Sequence, residues 1–371
     1  TWPVLTRPHM AGFGVTTEDK TFNRRFVELF GSPRDSRAHF FTPDTGYPSY
    51  FGTKPANYDD LGKKNQYYAD IAASIQAVTE EAVLAMANHA YRETGLKRLC
   101  MAGGVALNSV ANAKILHGTE FEELFVQPAA GDGGGALGAA LYAHHTILGH
   151  PRDFVMEHAY WGQRHEDADI SDFLRGENIA HRRFENEDKL IEHAVELLTA
   201  GKVVGWFQGA FEWGPRALGN RSILADPRRP EMKDVVNTKI KFREPYRPFA
   251  PSVLVDRAGE FFELPEPARH YHARFMLYVV NVKESKRDSI PAITHVDGTG
   301  RLQTVDRVLA PRYYELIRRF GEATGIPVVL NTSFNLRGEP IVNAPREAFS
   351  TFQRSEMDAV VLDHFVVEKT G

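Results

Sequence analysis

The spacing of apolar residues divides the chain into an irregular beginning followed by alternating helices and strands. Residues 1–65 are rich in Pro, Gly, Tyr and Phe with weak periodicity, so we expect irregular structure with short helices there. From Tyr67 to about Thr94 the apolar residues recur at helical spacing, which predicts one long amphipathic helix. Its apolar positions are Ile71, Ile75, Val78, Val83 and Met86.

Short apolar runs and glycines continue the alternation to about residue 150. A predicted strand, RLCMA, ends at Gly103 and Gly104, and a predicted helix covers about Asn108 to Leu116. A second strand follows at Leu124 to Val126, and the turn GDGGG then opens the apolar helix ALGAALYAHH. Strands that alternate with helices in this way favour a parallel sheet.

Charge density rises and periodicity fades between residues 151 and 187, where we place the inter-domain region. The domains are therefore predicted at 1–165 and 166–371. The second domain begins with the helix DKLIEHAVELLTAG and the strand KVVGWFQG, and further strands are predicted in SILADP, PFAPSVLV, FMLYVVNV and IPVVLNTSF.

Composition is typical of a soluble globular protein of about two domains, given roughly 100–200 residues per domain. The 371 residues include 44 Lys+Arg and 48 Asp+Glu, so the net charge of −4 argues against a nucleic-acid partner but permits a local anion site. No apolar run approaches the ~18 residues of a membrane span, so no membrane partner is expected. The single Cys100 excludes an internal disulfide and fits the reducing cytoplasm.

The stretch EWGPRALGNRS nearly matches a phosphate-binding P-loop, because Gly214 and Gly219 have the required spacing. However, Asn220 replaces the lysine, and the next segment, SILADP, is typical of a strand rather than a helix. We therefore reject the P-loop. The alternative is a tight turn with two exposed arginines, Arg216 and Arg221, and for Arg221 we favour that alternative.

Basic residues cluster again in KIKFREPYRPF, which contains Lys239, Lys241, Arg243 and Arg247. In an extended conformation Lys241 and Arg243 would share one face. Such like charges repel each other unless an anion lies between them. For Lys239 a structural role is favoured.

Small hydrogen-bond donors follow the predicted strand IPVVL: Asn331, Thr332, Ser333 and Asn335. Open α/β sheets bind ligands at the carboxyl ends of their strands. Arginine forks combined with hydroxyl donors suit a polyphosphate and its adenosine. The sequence therefore predicts a nucleotide site built from these donors and the basic cluster.

KFR and SFN resemble the KxR…SxN signature of YrdC-like domains, which form carbamoyl-adenylates from ATP. EWGPRALGNRS, KFREPYRPFAPSVL, HVDGTGRLQTV and LNTSFNLRGEPIV together resemble ATP-dependent O-carbamoyltransferases of antibiotic biosynthesis and nodulation-factor modification. MAGGVALNSVANAKIL and FVQPAAGDGGGALGAAL are similar to the second lobe of that family's actin-like domain. The resemblance implies an α/β fold, with the second lobe of an actin-like (ASKHA-type) domain followed by a YrdC-like twisted-sheet domain.

The resemblance also implies the reaction. A carbamoyl group from carbamoyl phosphate displaces pyrophosphate from ATP, giving carbamoyl-AMP, and a hydroxyl of a small-molecule acceptor then displaces AMP. Fixed cations stabilise charge on phosphoryl oxygens in such a step, and Mg²⁺ accompanies ATP. The catalytic candidates are Arg216, Lys241, Arg243 and Arg247, and Thr332, Ser333 and Asn335 would bind the adenylate.

In the first domain, Gly103 and Gly104 would allow close backbone approach to a ligand. Asn108 would contact the nucleotide or cap the following helix. By resemblance Asp132 binds a divalent transition metal, with iron implied; its alternative is a helix cap.

The family's co-ligand motif, HxxxH, does not occur in this sequence. Because that motif belongs to the family's first lobe, we expect that lobe to lie outside this sequence and the metal site to be incomplete. The apolar face thus exposed would favour self-association, for example as a homodimer.

Two alternatives stay open. A threonylcarbamoyl-adenylate synthase of tRNA modification shares KxR…SxN, but the near-neutral charge and the WGPRALGNRS and HVDGTGR motifs argue against it. A non-catalytic nucleotide- or RNA-binding module would keep the fold without the reaction. In HVDGTGR we assign no role to Asp297, and an acid/base role for His295 is the weakest of these hypotheses.

Overall fold

The computed structural model describes residues 24–35, 38–241, 244 and 246–369. Internal contacts divide the chain into two compact units, residues 1–77 with 244–246, and residues 78–243 with 247–371. The α-helices are α1 Arg24–Phe30, α2 Tyr58–Thr94, α3 Ser109–Gly118, α4 Gly135–Tyr142, α5 Asp167–Gly176, α6 Glu187–Thr199, α7 Met232–Val236, α8 Ala258–Phe261, α9 Pro311–Thr324 and α10 Pro345–Arg354.

The described part of the first unit is ordered by aromatic packing and a few side-chain hydrogen bonds. The rings of Phe41 and Tyr58 stack in parallel with 5.3 Å between their centroids. Asn65 Nδ2 donates to the Phe41 carbonyl at 2.9 Å. The expected irregular structure with short helices is confirmed in the described residues, and the long helix begins at Tyr58 rather than Tyr67.

The apolar face expected for helix α2 is only partly buried. Val83 packs in a small core with Ile115 of α3. By contrast, Ile75, Val78 and Met86 are exposed. The periodicity therefore predicted the helix correctly but not the burial of its apolar residues.

The second unit begins with the predicted alternation of strands and helices. Strand β1, Arg98–Met101, pairs in parallel with β2, Glu123–Val126, and helix α3 connects them. A 3₁₀ turn at Asp132–Gly134 then leads into helix α4. The prediction of a parallel pair is confirmed in this region.

A mixed sheet dominates the rest of the unit, with nine strands among the described residues in the order β3-β11-β10-β4-β5-β9-β6-β8-β7. The β4/β10 and β6/β8 pairs are parallel and the other pairs antiparallel. The strands are β3 Arg182–Arg183, β4 Val204–Phe207, β5 Arg221–Ala225, β6 Ala250–Leu254, β7 Tyr278–Asn281, β8 Thr299–Val305, β9 Val328–Ser333, β10 Ala359–Leu362 and β11 Phe365–Glu368.

Both faces of this sheet are covered, because successive strand residues point to opposite sides. Trp206 and Leu224 pack against helices α6 and α9 on one face. Phe207 and Ile223 belong to a larger core on the other face. These two cores fix the strand ends that carry the site.

The charged stretch between residues 151 and 187, where we expected fading structure, contains helix α5. Ile170 and Leu174 of this helix are fully buried. The proposed boundary at 165/166 stays a prediction. No helix in the described part of the chain combines the length and apolar character needed to cross a membrane.

Candidate functional site

The loop between strands β4 and β5 is organised around a buried carboxylate. Glu212 Oε1 accepts hydrogen bonds from the backbone N–H groups of Leu218 and Asn220, both at 2.8 Å, and of Arg221 at 3.2 Å. A strand follows the loop, so the rejection of a P-loop is confirmed. The loop is instead a turn whose last N–H groups bind the side chain of Glu212, nearer its beginning.

The two glycines of the loop are required by its backbone and its neighbours. Gly214 has a φ of 134° and Gly219 a φ of 111°, both in the left-handed region. A Cβ on Gly214 would approach the Pro128 carbonyl oxygen at 2.8 Å, and one on Gly219 would overlap the Tyr313 ring. No other residue type fits either position without displacing its neighbours.

Arg221 is a buried structural residue. Its guanidinium lies over the Phe207 ring, 3.6 Å from the centroid, and donates to the Gln208 carbonyl at 2.6 Å. Burial lowers the pKa of Arg221 to about 10. The exposed turn position favoured for Arg221 from the sequence is therefore wrong, because its side chain is inaccessible to solvent.

A cavity of about 320 Å³ lies beside this loop. Arg216 and Arg247 line it together with Thr332 and Ser333 from the end of strand β9, so four of the predicted residues meet at one place. Its complete lining is Pro215, Arg216, Ala217, Arg247, Pro248, Met276, Arg301, Asn331, Thr332 and Ser333. Three guanidinium groups and three polar side chains, without a lining carboxylate, make a site for an anion.

The charge of Arg216 has no counter-charge in the described part of the chain. Its Nε is buried without a hydrogen-bond partner there, and no described carboxylate forms an ion pair with it. Burial lowers the pKa of Arg216. A desolvated cation is costly unless an anion pairs with it, which makes Arg216 the group most in need of a ligand.

Lys241 is positioned differently from our expectation. It ends a π-helical turn, Asn237–Lys241, and does not adopt the extended conformation considered for this segment. Three residues of this turn are buried, namely Asn237, Ile240 and Lys241. Arg243, predicted to share its face, lies outside the described residues.

The ammonium group of Lys241 contacts the two residues predicted to complete its motif. Its Nζ donates to the Ser333 carbonyl at 2.5 Å, and to the Asn335 carbonyl and Oδ1 at 2.8 and 2.9 Å. Ser333 Oγ in turn donates to Asn335 Oδ1 at 2.7 Å. Lys241 therefore holds the turn that brings Ser333 to the cavity, while its catalytic role stays a prediction.

Lys239 points away from the cavity and forms an ion pair with Asp358, with 2.7 Å between Nζ and Oδ2. This contact supports the structural role that the sequence favoured. The two lysines of one turn thus have different partners, which residue spacing alone did not reveal.

Arg301 is the cavity residue that our sequence reasoning missed. It lies on strand β8, where it alternates with the buried residues Gly300 and Leu302. The alternation in GTGRLQTV is the signal that could have indicated a strand with one cationic side chain on its polar face. The same Arg301 also lines a second cavity of about 400 Å³.

His295 lines that second cavity and not the first. Its Nδ1 lies 3.0 Å from Thr299 Oγ1, which donates to Asp297 Oδ1 at 2.7 Å. Burial lowers the pKa of His295 to about 4. The ring is therefore neutral at pH 7, and its acid/base role stays the weakest hypothesis.

The predicted residues of the first domain lie apart from the arginine cavity's lining. Gly103 has a φ of 101° and its N–H donates to the Ala130 carbonyl at 2.8 Å. Gly104 begins a 3₁₀ turn. Asn108 Oδ1 accepts from the Ala111 N–H at 3.1 Å, so the helix-capping alternative is observed. Nucleotide contact by these residues stays a prediction.

Asp132 is exposed at the start of its 3₁₀ turn, and its carboxylate makes no side-chain cap. Among the described residues, the one trio of metal-type ligands is Asp167, Asp363 and His364. Arg312 already occupies that trio, with NH1 2.5 Å from Asp363 Oδ1 and NH2 3.1 Å from His364 Nε2. The described residues alone therefore do not fit a metal at Asp132, and we derive no step through one.

Two family models match the sequence, described as carbamoyltransferase N-terminus over residues 9–141 and carbamoyltransferase C-terminus over residues 195–369. An uncharacterized Synechocystis protein is 42% identical over 390 aligned positions, covering 98% of this chain and 59% of that protein. Nodulation protein NolO of Bradyrhizobium diazoefficiens is 45% identical over 306 positions, covering 82% and 55%.

The 3'-hydroxymethylcephem-O-carbamoyltransferase of Streptomyces clavuligerus is 35% identical over 247 positions, covering 66% of this chain and 44% of that enzyme. The chain thus spans about half the length of the curated relatives it matches.

Proposed function

Since this chain belongs to the carbamoyltransferase family, we propose that it forms carbamoyl-AMP from ATP and carbamoyl phosphate for transfer to a hydroxyl of a small-molecule acceptor. The observation that carries this proposal is the cavity where Arg216, Arg247 and Arg301 meet the hydroxyls of Thr332 and Ser333. The nodulation and cephem relatives support an acceptor of the antibiotic or glycan type.

The chemistry requires an anion site of this kind. Carbamoyl phosphate first loses inorganic phosphate by hydrolysis, leaving carbamate. A carbamate oxygen then forms a bond to the α-phosphorus of ATP while the bond to pyrophosphate breaks. Negative charge accumulates on the phosphoryl oxygens and the leaving group, so preorganised cations provide most of the stabilisation.

We assign each residue at the cavity a separate task from its position and its contacts. Arg216 lacks a counter-charge among the described residues, and its planar guanidinium would bind two phosphoryl oxygens at once. Thr332 and Ser333 would donate their hydroxyl protons to the adenylate. Lys241 would act through Ser333, whose carbonyl it holds, and Arg243 joins the proposal on its sequence motif alone.

Metal ions enter the proposal in two ways. Mg²⁺ would arrive bound to the phosphates of ATP, since the cavity lining contains no carboxylate that would hold it. The transition metal that the resemblance implies at Asp132 would, when bound, polarise the carbamoyl carbonyl for the transfer to the acceptor. Asp132 would supply one ligand there, and the described residues supply no second one.

We extend the proposal to the architecture that the family resemblance implies. The region before residue 166 would be the second lobe of an actin-like domain, where transfer to the acceptor takes place. The mixed sheet after it would be the YrdC-like domain that makes the adenylate. A cytoplasmic location and a homodimer belong to the same proposal.

The test is pyrophosphate release from Mg-ATP on addition of carbamoyl phosphate, with the 371-residue chain and its Arg216→Ala variant. We expect carbamoyl-phosphate-dependent release in the wild type and at least a tenfold loss in the variant, because charge-assisted contacts contribute about 1.5–3 kcal/mol. The matched control is Arg318→Ala, which removes an arginine that pairs with Glu315 on helix α9.

Release by the wild type without carbamoyl phosphate, or equal release by both variants, would contradict the proposal. Release that requires L-threonine and bicarbonate instead would favour the threonylcarbamoyl-adenylate reaction. Mass spectrometry against a panel of hydroxylated acceptors then identifies the second substrate.

A further inference from the structure

The segment that carries Arg216 is fixed from both sides by buried polar side chains that do not line the cavity. On one side Glu212 Oε1 accepts the N–H groups of Leu218, Asn220 and Arg221. Glu212 is only 2% exposed. These bonds close the loop over the segment that contains Arg216.

On the other side, carbonyl groups of the loop accept hydrogen bonds from the sheet and from the preceding chain. Gln303 Nε2 donates to the Leu218 carbonyl at 2.7 Å, and Tyr160 Oη donates to the same carbonyl at 3.0 Å. Asn331 Nδ2 donates to the Ala217 carbonyl at 3.3 Å. The two peptide groups after Arg216 are therefore held to strands β8 and β9.

A carboxylate at Glu212 is costly for the fold, which makes its position informative. Burial raises the pKa of Glu212, and the hydrogen bonds from Leu218 and Asn220 oppose that shift. Its second oxygen, Oε2, is buried without a hydrogen-bond partner in the described part of the chain. Burial of this side chain is therefore offset by the three N–H groups that its Oε1 accepts, and the acceptor oxygen is what the loop requires.

We infer that Glu212 is a positioning residue for Arg216: by gathering the N–H groups after the turn, it holds the guanidinium in the anion cavity. This inference rests on the proposed function, because it assigns Arg216 the task of binding the phosphoryl group. Glu212 itself does not line the cavity. Its effect on Arg216 is indirect and passes through the backbone from Ala217 to Arg221.

A double-mutant cycle separates positioning from a general effect on folding. The variants are Glu212→Ala, Arg216→Ala and the double variant, and the readout is the Kd for Mg-ATP by calorimetry. We expect each single variant to raise the Kd about tenfold or more. The double variant should resemble Arg216→Ala, because a mispositioned loop costs nothing further once the guanidinium is gone.

Glu212→Gln is the conservative variant. Its amide oxygen can still accept the three N–H groups, so we expect a Kd within about threefold of the wild type. Amide exchange of the peptide that contains Leu218 and Asn220 should accelerate in Glu212→Ala and stay near wild type in Glu212→Gln. If Glu212→Ala does not fold, a wild-type exchange rate and Kd in Glu212→Gln support the inference, and a tenfold weaker Kd there overturns it.

The outcomes also separate this inference from the proposed function. If Arg216→Ala binds Mg-ATP as the wild type does, the proposed function of the cavity is wrong. If Arg216→Ala weakens binding while Glu212→Ala does not, only the positioning role is wrong. Additive losses in the double variant would likewise overturn it, because they would show that Glu212 acts independently of Arg216.

Discussion

Two glycine-containing turns of this protein each carry one carboxylate, and the surroundings of the two carboxylates differ. The loop around Gly214 and Gly219 contains Glu212, a carboxylate that is almost fully buried and accepts three N–H groups. The turn GDGGG contains Asp132, which is exposed and whose carboxylate forms no hydrogen bond or ion pair in the described part of the chain. The first carboxylate is therefore hydrogen-bonded within its own loop, whereas the second is exposed to solvent without such bonds among the described residues.

The difference arises from distant residues rather than from the turns themselves. The first loop is closed by Tyr313 against Gly219 and by Gln303 against Leu218, both far along the chain. By contrast, a Cβ on Gly135, three residues after Asp132, would meet no atom within 4 Å, and the close approach in this turn, of a Cβ on Gly134 to the Ala129 carbonyl oxygen, involves a residue only five positions earlier. A glycine and a carboxylate in a turn therefore indicate a site only when other elements enclose them.

The largest change in the free energy of unfolding is expected from substitution of the glycines in the two turns. Gly219→Ala would force a Cβ into the Tyr313 ring at a left-handed φ, so we expect the free energy of unfolding to fall by about 3 kcal/mol. Gly135→Ala, at a helical position with open space, should leave stability unchanged or raise it by up to ~1 kcal/mol. Urea unfolding of both variants measures the contrast, and equal changes would show that the loop is not closely packed.

The second prediction tests whether the arginine cavity and Asp132 serve different steps of the reaction. We expect Arg216→Ala to weaken Mg-ATP binding by about 10–150-fold, from the 1.5–3 kcal/mol of a charge-assisted contact. Asp132→Ala should leave carbamoyl-AMP formation within twofold of the wild type, because Asp132 does not line the arginine cavity. ATP–pyrophosphate exchange measures adenylate formation in each variant. A comparable loss in Asp132→Ala would show that the two regions do not divide the reaction.

The cavity shows what the sequence could and could not predict. Arg216, Arg247, Thr332 and Ser333 were identified because each belongs to a motif with its own local signal. Arg301 was missed because its place in the cavity depends on how strand β8 lies in the sheet, which is a long-range property.

The helical turn at Lys241 was not predicted, for a different reason. The basic residues were considered only in an extended conformation, while the i, i+4 spacing of Val236 and Ile240 already favoured a helical turn. Most strands were predicted, since apolar runs bounded by glycines are local signals. The order and direction of the nine strands were not, because strand pairing is decided by contacts between distant segments.

A smaller effect is expected where strand β2 meets the second half of the chain. His272 is almost fully buried and its Nδ1 lies 3.1 Å from the Leu124 carbonyl of β2. Burial, reinforced by His270, lowers the pKa of His272 to about 3. A histidine with a lowered folded pKa stabilises the fold fully above its unfolded pKa near 6.5, and that stability is lost as the pH falls below it.

Acidification from pH 7 to pH 5 should therefore cost about 2 kcal/mol through His272, since each pKa unit corresponds to ~1.4 kcal/mol. His272→Gln should lose less stability over the same interval, although it starts lower at pH 7. The exposed His89→Gln is the control and should follow the wild type. Urea unfolding at the two pH values decides this, and parallel losses in all three proteins would assign the acid sensitivity to other groups.

The smallest effect is expected at the apolar residues that follow helix α4, the helix opened by the Asp132 turn. Ile147 and Leu148 are 69% and 65% exposed, in contrast to the residues of strand β4, which are all buried. If they face water, Ile147→Gln and Leu148→Gln should change the free energy of unfolding by less than about 0.5 kcal/mol. A loss above ~1 kcal/mol that grows with protein concentration would instead show that a second copy of the chain covers them. Sedimentation of the wild type and both variants over a range of concentrations distinguishes these outcomes, and a concentration-independent loss would place the covering contacts within the chain itself.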